Sequence, residues 1–192
     1  MPRCAGFDRI QSTWGGVRDC IHVRKEEHEV MFSEPVSVNL DTAPAYWFLN
    51  ALHILLAQNQ SEEGAYSLIH LTAAPGFETP YHLHHTEDEA FYVLEGELTV
   101  VRNQEKIVAS PGSYIFLQRG VPHGFRNSGD KTSRILIHAI PGGNVGFVAM
   151  MLELGVPLPD RHKLPEATPP DLRRLKEVCV QNEISILGPL PI

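Results

Sequence analysis

The chain has 192 residues, 43% of them apolar, which suits one soluble domain with a sizeable core. Its net charge of −7 is spread among mixed acids and bases, and the absence of a Lys/Arg stripe argues against a nucleic-acid partner. Cys4, Cys20 and Cys179 are few, scattered and odd in number, so no disulfide framework is expected and a reducing compartment fits.

Residues 1 to about 35 mix charges with the turn signals Gly15-Gly16 and Glu34-Pro35 and read, with the residues up to 45, as an arm or peripheral strands. The opening MPRCAGFDRI lacks the apolar core of a signal peptide. The longest apolar stretch, Ala51 to Ala57, is broken by His53 and too short for a bilayer, so a cytoplasmic protein without a membrane partner is expected. From about residue 46 short apolar runs follow one another: 46–49, 52–57, 65–72, 90–94, 98–102, 113–117, 124–127 and 134–140, with a polar turn at 58–64. Gly, Pro, Asn or Asp separate most of them, and no helical pattern intervenes. Such spacing predicts an all-β sandwich or barrel. Helices are expected only afterwards, from Val145 to Leu154 behind an Asn144 cap, and from about Pro169 to Glu183 behind Thr168. The second presents Leu172, Leu175 and Cys179 on one face, and Ile184 to Ile192 reads as an extended strap.

Of ten histidines, His82, His84, His85 and His123 fall in the middle third. His82 and His84 are two apart, so on a strand their imidazoles share a face. Glu89 lies an odd number of positions past His84, and a straight strand would aim it outward. A reversal over residues 85–88 places it on the next strand, facing the same interior. His123 adds a fourth donor from a later strand. Three imidazoles and one carboxylate suit one divalent ion (Fe, Ni, Mn, Co, Cu or Zn), with a coordination position left for water or substrate. Glu87 and Asp88 read as solvated turn acids that also hydrogen-bond around the site, and His85 as a turn residue. His53, His70 and His138 read as hydrogen-bonded barrel residues. Phe91, Val93 and Phe125 share parity with Glu89 or His123 and are expected to line the cavity.

The glycine framework around these residues is more specific than the histidines alone. Gly76, five residues, His82, one, His84, four, Glu89, six and Gly96 reproduce the first cupin motif. Gly112, five residues, Gln118, one, Gly120, two, His123, three and Asn127 follow the second, with Gln118 where the family usually has Pro. The chain therefore resembles the cupin superfamily over roughly residues 46–155. Tyr46-Trp47-Phe48-Leu49, the run Asp88 to Gly96, Pro141-Gly142-Gly143, Gly155-Val156-Pro157 and Ile186 to Pro191 narrow the likeness to small bacterial quercetin dioxygenase-like single-domain cupins. The resemblance implies a jelly-roll β-barrel over 46–155, with residues 156–192 as a helix and strap packed on it, and short C-terminal helices. It implies His82, His84, Glu89 and His123 as metal ligands, with Glu89 also a catalytic proton acceptor, and a homodimer. Three activities stay open: a dioxygenase acting on a small phenolic or enolizable substrate, a non-oxidative isomerase, lyase or cyclase, and a non-catalytic small-molecule binder.

Overall fold

The computed structural model describes residues 37–59, 66–142 and 145–192. Twelve strands and two helices occur there: β1 Ala45–Phe48, β2 Ala51–Asn59, β3 Tyr66–Ala73, β4 Tyr81–His84, β5 Asp88–Glu95 and β6 Leu98–Arg102 come first. Then follow β7 Glu105–Ala109, β8 Tyr114–Leu117, β9 His123–Asn127, β10 Ser133–Ile140, helix α1 Phe147–Leu154, β11 Val156–Pro157, helix α2 Leu172–Gln181 and β12 Ile184–Gly188. The reading of residues 1–35, the Asn144 cap and most of the polar turn at 58–64 lie outside the described residues.

The strands form two antiparallel sheets. One has seven strands in the order β11-β1-β2-β3-β10-β5-β8, the other five in the order β12-β4-β9-β6-β7. From β4 onward the chain passes back and forth between them, which is the jelly-roll way of closing two sheets over one core. Alternation along the strands decides what fills that core. On β10, Ile135, Ile137 and Ala139 are buried while Arg134 and Ile140 are exposed. Each inward residue faces an inward partner on β5: Ile135 meets Val93, Ile137 meets Phe91 and Ala139 meets Glu89. The same row continues to Leu117 of β8. Glu89 is thereby held between a small alanine and a leucine, inside the barrel.

Gly76, Gly96, Gly112 and Gly120, the four glycines of the two motifs, all have positive φ. At Gly96 the requirement is twofold. Its φ is +79°, and an added Cβ would lie 2.4 Å from Ser133 Oγ and 2.8 Å from the Thr132 carbonyl.

The C-terminal segment is woven into the barrel as well as packed on it. β12 pairs with β4, placing Ile184 beside His84 and Ile186 beside His82, and β11 pairs with β1. Both helices begin later than the sequence pattern suggests. α2 is capped by Asp171, whose side chain accepts from the Arg173 and Arg174 amides, so Thr168 and the two following prolines stay outside it. Proline suits a first turn, but a carboxylate that satisfies two free amides is the stronger start. The buried face of α2 is Leu175, Val178 and Cys179, whereas Leu172, expected on that face, is 58% exposed. α1 starts after Gly146, which carries no side chain to cap it.

Candidate metal centre

The turn between β4 and β5 carries the chain from one sheet to the other, and this crossing builds the site. His82 and His84 stand on β4 and His123 on β9, both in the five-stranded sheet, with His82 directly opposite His123. Glu89 reaches them from β5 in the seven-stranded sheet. The reversal over 85–88 therefore does more than restore parity, because it sends the carboxylate to the opposite wall. The turn is held by the His85 amide donating to the Glu183 carbonyl at 2.8 Å and the Gly120 amide donating to the His84 carbonyl at 2.7 Å. Both glycine motifs thus meet at one point.

One donor atom from each of the four residues lies within 4.8 Å of the others, a spread near what a single ion with bonds of about 2.1 Å spans. His84, Glu89 and His123 are buried, and His82 is partly so. Glu89 stands 3.2 Å from His123 Nε2 and 3.7 Å from His84 Nε2. Two of the three imidazoles are oriented from behind in the same way. Nδ1 of His82 lies 2.8 Å from the Pro80 carbonyl, and Nδ1 of His123 lies 2.8 Å from the Val121 carbonyl. Since a carbonyl only accepts, both rings carry Nδ1–H and turn Nε2 toward the cluster, the nitrogen that would ligate an ion once bare. His84 Nδ1 faces Glu87 Oε1 instead, at 2.7 Å and at a bent angle. Its Nε2 is buried with no hydrogen-bond partner among the described residues. A buried ring nitrogen without a partner is costly, and a cation is the group that would satisfy it. The donor set fits one divalent ion.

The electrostatics of His82 and Glu89 agree with that, whereas His84 is held toward its protonated form. Burial, aided by the neighbouring imidazoles of His123 and His84, lowers His82 to about pKa 3 and keeps it neutral. Burial opposes the charge on Glu89 too, but His84, His123 and His82 together outweigh it and lower Glu89 to about 2. For His84, burial is again opposed, chiefly by Glu89 and then Glu87, and the net direction is upward. A neutral imidazole and an ionised carboxylate are the forms a metal takes.

An apolar cavity opens from the cluster through His82 and Glu89. Among the three aromatic or aliphatic residues expected there, Phe125 lines it. Phe91 and Val93 do not: they are 1% and 0% exposed and belong to the packed core, with the Phe91 ring 5.0 Å from that of Phe125. Parity places both inside the barrel, but at about 3.4 Å per residue they sit roughly 7 and 14 Å farther along β5 than Glu89. The opposite wall comes from residues the barrel pattern does not reveal: Phe147 and Met150 of α1, Leu175 and Cys179 of α2, and Ile184 and Ile186 of β12. His53 also lines the cavity, its Nδ1 3.2 Å from the Ala51 carbonyl, so it is a hydrogen-bonded barrel histidine as the sequence suggests. His85 is an exposed turn residue bonded to Ser185 Oγ. Asp88 pairs on the surface with Arg119, whose guanidinium holds it below its ordinary value. Glu87 departs from the sequence reading. It is 2% exposed, not solvated, because the turn folds it under α1 toward His84.

The cupin domain family model matches residues 69–138, which contain β4 to β9 whole, most of β10 and every member of the cluster. Over those residues the chain is similar to the cupin domain family. It is similar to a quercetin 2,3-dioxygenase of Bacillus subtilis, 25% identical over 97 residues that make up 50% of this chain and 28% of that protein. It is also similar to tetracenomycin polyketide synthase protein TcmJ of Streptomyces glaucescens, 32% identical over 72 residues, 38% of this chain and 48% of the relative. The matched segments thus span less than half of either protein. Among solved structures, the polyketide cyclase RemF of Streptomyces resistomycificus aligns at 26% identity with a TM-score of 0.49, covering 55% of this chain and 79% of RemF.

Proposed function

We propose that this protein is a metal-dependent cupin dioxygenase that acts on a small phenolic or enolizable compound within the apolar cavity. The observation that carries the reading is the mixed His/Glu cluster at the end of a cavity whose other walls are almost wholly apolar. The distant likeness to a quercetin 2,3-dioxygenase supports the same chemistry. Held by His82, His84, Glu89 and His123, a divalent ion would supply Lewis acidity toward a substrate oxygen. Glu89, which lines the cavity, would accept the proton of a hydroxyl made acidic by the ion. Phe125, Phe147 and Ile186 would bury the flat body of the substrate and keep water from the reacting end. Oxygen uptake on phenolic and enolizable candidates, with Fe, Ni, Mn, Co, Cu or Zn restored to metal-free protein, tests the proposal. Metal-dependent uptake that disappears in His84→Ala is the expected result; no uptake with any ion rejects it.

The likeness to a polyketide synthase protein favours a second reading, a non-oxidative cyclase or isomerase using the same cluster. Anaerobic conversion of an enolizable polyketone with unchanged mass separates it from the first. Binding with full recovery of unchanged ligand would instead mark a non-catalytic binder.

A further inference from the structure

Helix α1 is incomplete at its N-terminus. Its cap position is Gly146, no side chain of its own satisfies the first amides, and its first turn contains no acid. Unsatisfied amides and the positive end of the helix dipole call for a carboxylate there. The one that arrives is Glu87, from the turn between β4 and β5 and sixty residues away: its Oε1 accepts from the Phe147 amide. The same Oε1 lies 2.7 Å from Nδ1 of His84. Gly146 confirms how closely the carboxylate is seated, since with φ +101° an added Cβ would fall 2.2 Å from Glu87 Oε2.

We propose that Glu87 is a positioning residue that links His84 to helix α1, so that divalent-ion binding at the His/Glu cluster and docking of α1 over the cavity stabilise each other. This rests on the metal-centre reading above. The physical reason is shared charge. A cation on Nε2 makes the imidazole more positive, which strengthens its attraction to the Glu87 carboxylate. A carboxylate held more firmly is a better partner for the α1 amides. Linkage is reciprocal, so whatever releases α1 weakens the cation by the same factor. Because Phe147 and Met150 of α1 form part of the cavity wall, ion occupancy would also set how firmly that wall is closed.

The test uses the full chain and Co2+, followed by its visible ligand-field bands, together with hydrogen exchange of the α1 amides. In the unsubstituted protein, Co2+ is expected to slow exchange across residues 147–154. Glu87→Gln is expected to bind Co2+ about tenfold or more weakly, the usual consequence of losing an outer partner of a ligating histidine. Its ligand-field bands should shift, and α1 exchange should no longer respond to the ion. Gly146→Ala, which touches no ligand, should move affinity in the same direction by displacing Glu87. Co2+ binding without any change in α1 exchange of the unsubstituted protein overturns the linkage, whatever the variants do. So does a Glu87→Gln protein with unchanged affinity and spectrum. Failure of the unsubstituted protein to bind Co2+ at all removes the metal-centre reading, and the linkage with it.

Discussion

His53 shows how one buried side chain makes the fold answer to pH. Burial dominates its environment and lowers its pKa from 6.5 to about 4, with the bond to the Ala51 carbonyl opposing only in part. The folded ring therefore stays neutral where the unfolded one takes up a proton. Above pH 6.5 the two states are alike. As pH falls from 6.5 toward 4 the unfolded state gains protons first, and stability is lost. At pH 5 the difference of 1.5 units between pH and unfolded pKa is worth on the order of 2 kcal/mol. Urea unfolding of the metal-free protein at pH 7 and pH 5 checks this. His53→Gln should shrink the pH-dependent loss by about that amount, leaving a remainder from His82, whose pKa is lowered in the same direction. His82, His84, Glu89 and His123 were readable as a set through the likeness to the cupin motifs, while local spacing alone put His82 and His84 on one strand face. Glu87 was legible only as one of two turn acids that hydrogen-bond around the site, since its partner Phe147 is sixty positions away and nothing in the turn marks which acid folds inward.

Helix α2 shows the same contrast between neighbouring positions. Leu175 is 4% exposed and lines the cavity, while Leu172, one turn earlier, is 58% exposed. Leu175→Ala is expected to cost about 2–5 kcal/mol in equilibrium unfolding. Leu172→Ala should stay within about 0.5 kcal/mol. Equal costs would place both on the packed face, as the helical spacing alone suggests. That spacing named the right stripe but not its rotation, because the Asp171 cap sets where the helix begins and the contacts with α1 and β12 set which side is covered. The barrel strands were more legible: β6 spans the expected residues, β8, β9 and β10 depart from the apolar runs by one residue at one end, and β5 extends beyond its run at both ends. Strict alternation and turn residues are local properties, so they survive being read without the fold.

For the molecule as a whole, a site assembled from both sheets ties ligand binding to global stability. An ion that binds only when β4, β5 and β9 are in place stabilises the folded state by about 2.7 kcal/mol at one hundred times its dissociation constant. Thermal unfolding with rising Ni2+ or Zn2+ should show an increasing midpoint in the unsubstituted protein and none in His84→Ala. The gain should fade in acid as His84, held above its ordinary value by Glu89 and Glu87, takes up a proton. No helix among the described residues is long and apolar enough to cross a membrane. We also propose a homodimer, as the family likeness implies, with uncovered sheet edges as the surfaces it would protect. Sedimentation of the full chain against one lacking residues 1–35 should show weaker assembly with metal binding retained; identical assembly would rule out a role for that segment.

The sequence by itself determined an all-β architecture, and its likeness to the cupin motifs marked the turn glycines and the four donors of the candidate centre. The strands were legible because period-two alternation and turn residues act over a few positions. Only the tertiary structure decided that Glu89 comes from the wall opposite the histidines. The same is true of Phe91 and Val93, which lie in the core instead of the cavity, and of the far wall of the cavity, which comes from the C-terminal helices and β12. Depth within a barrel and contacts between distant segments depend on how the sheets close over one another, and no local period records that.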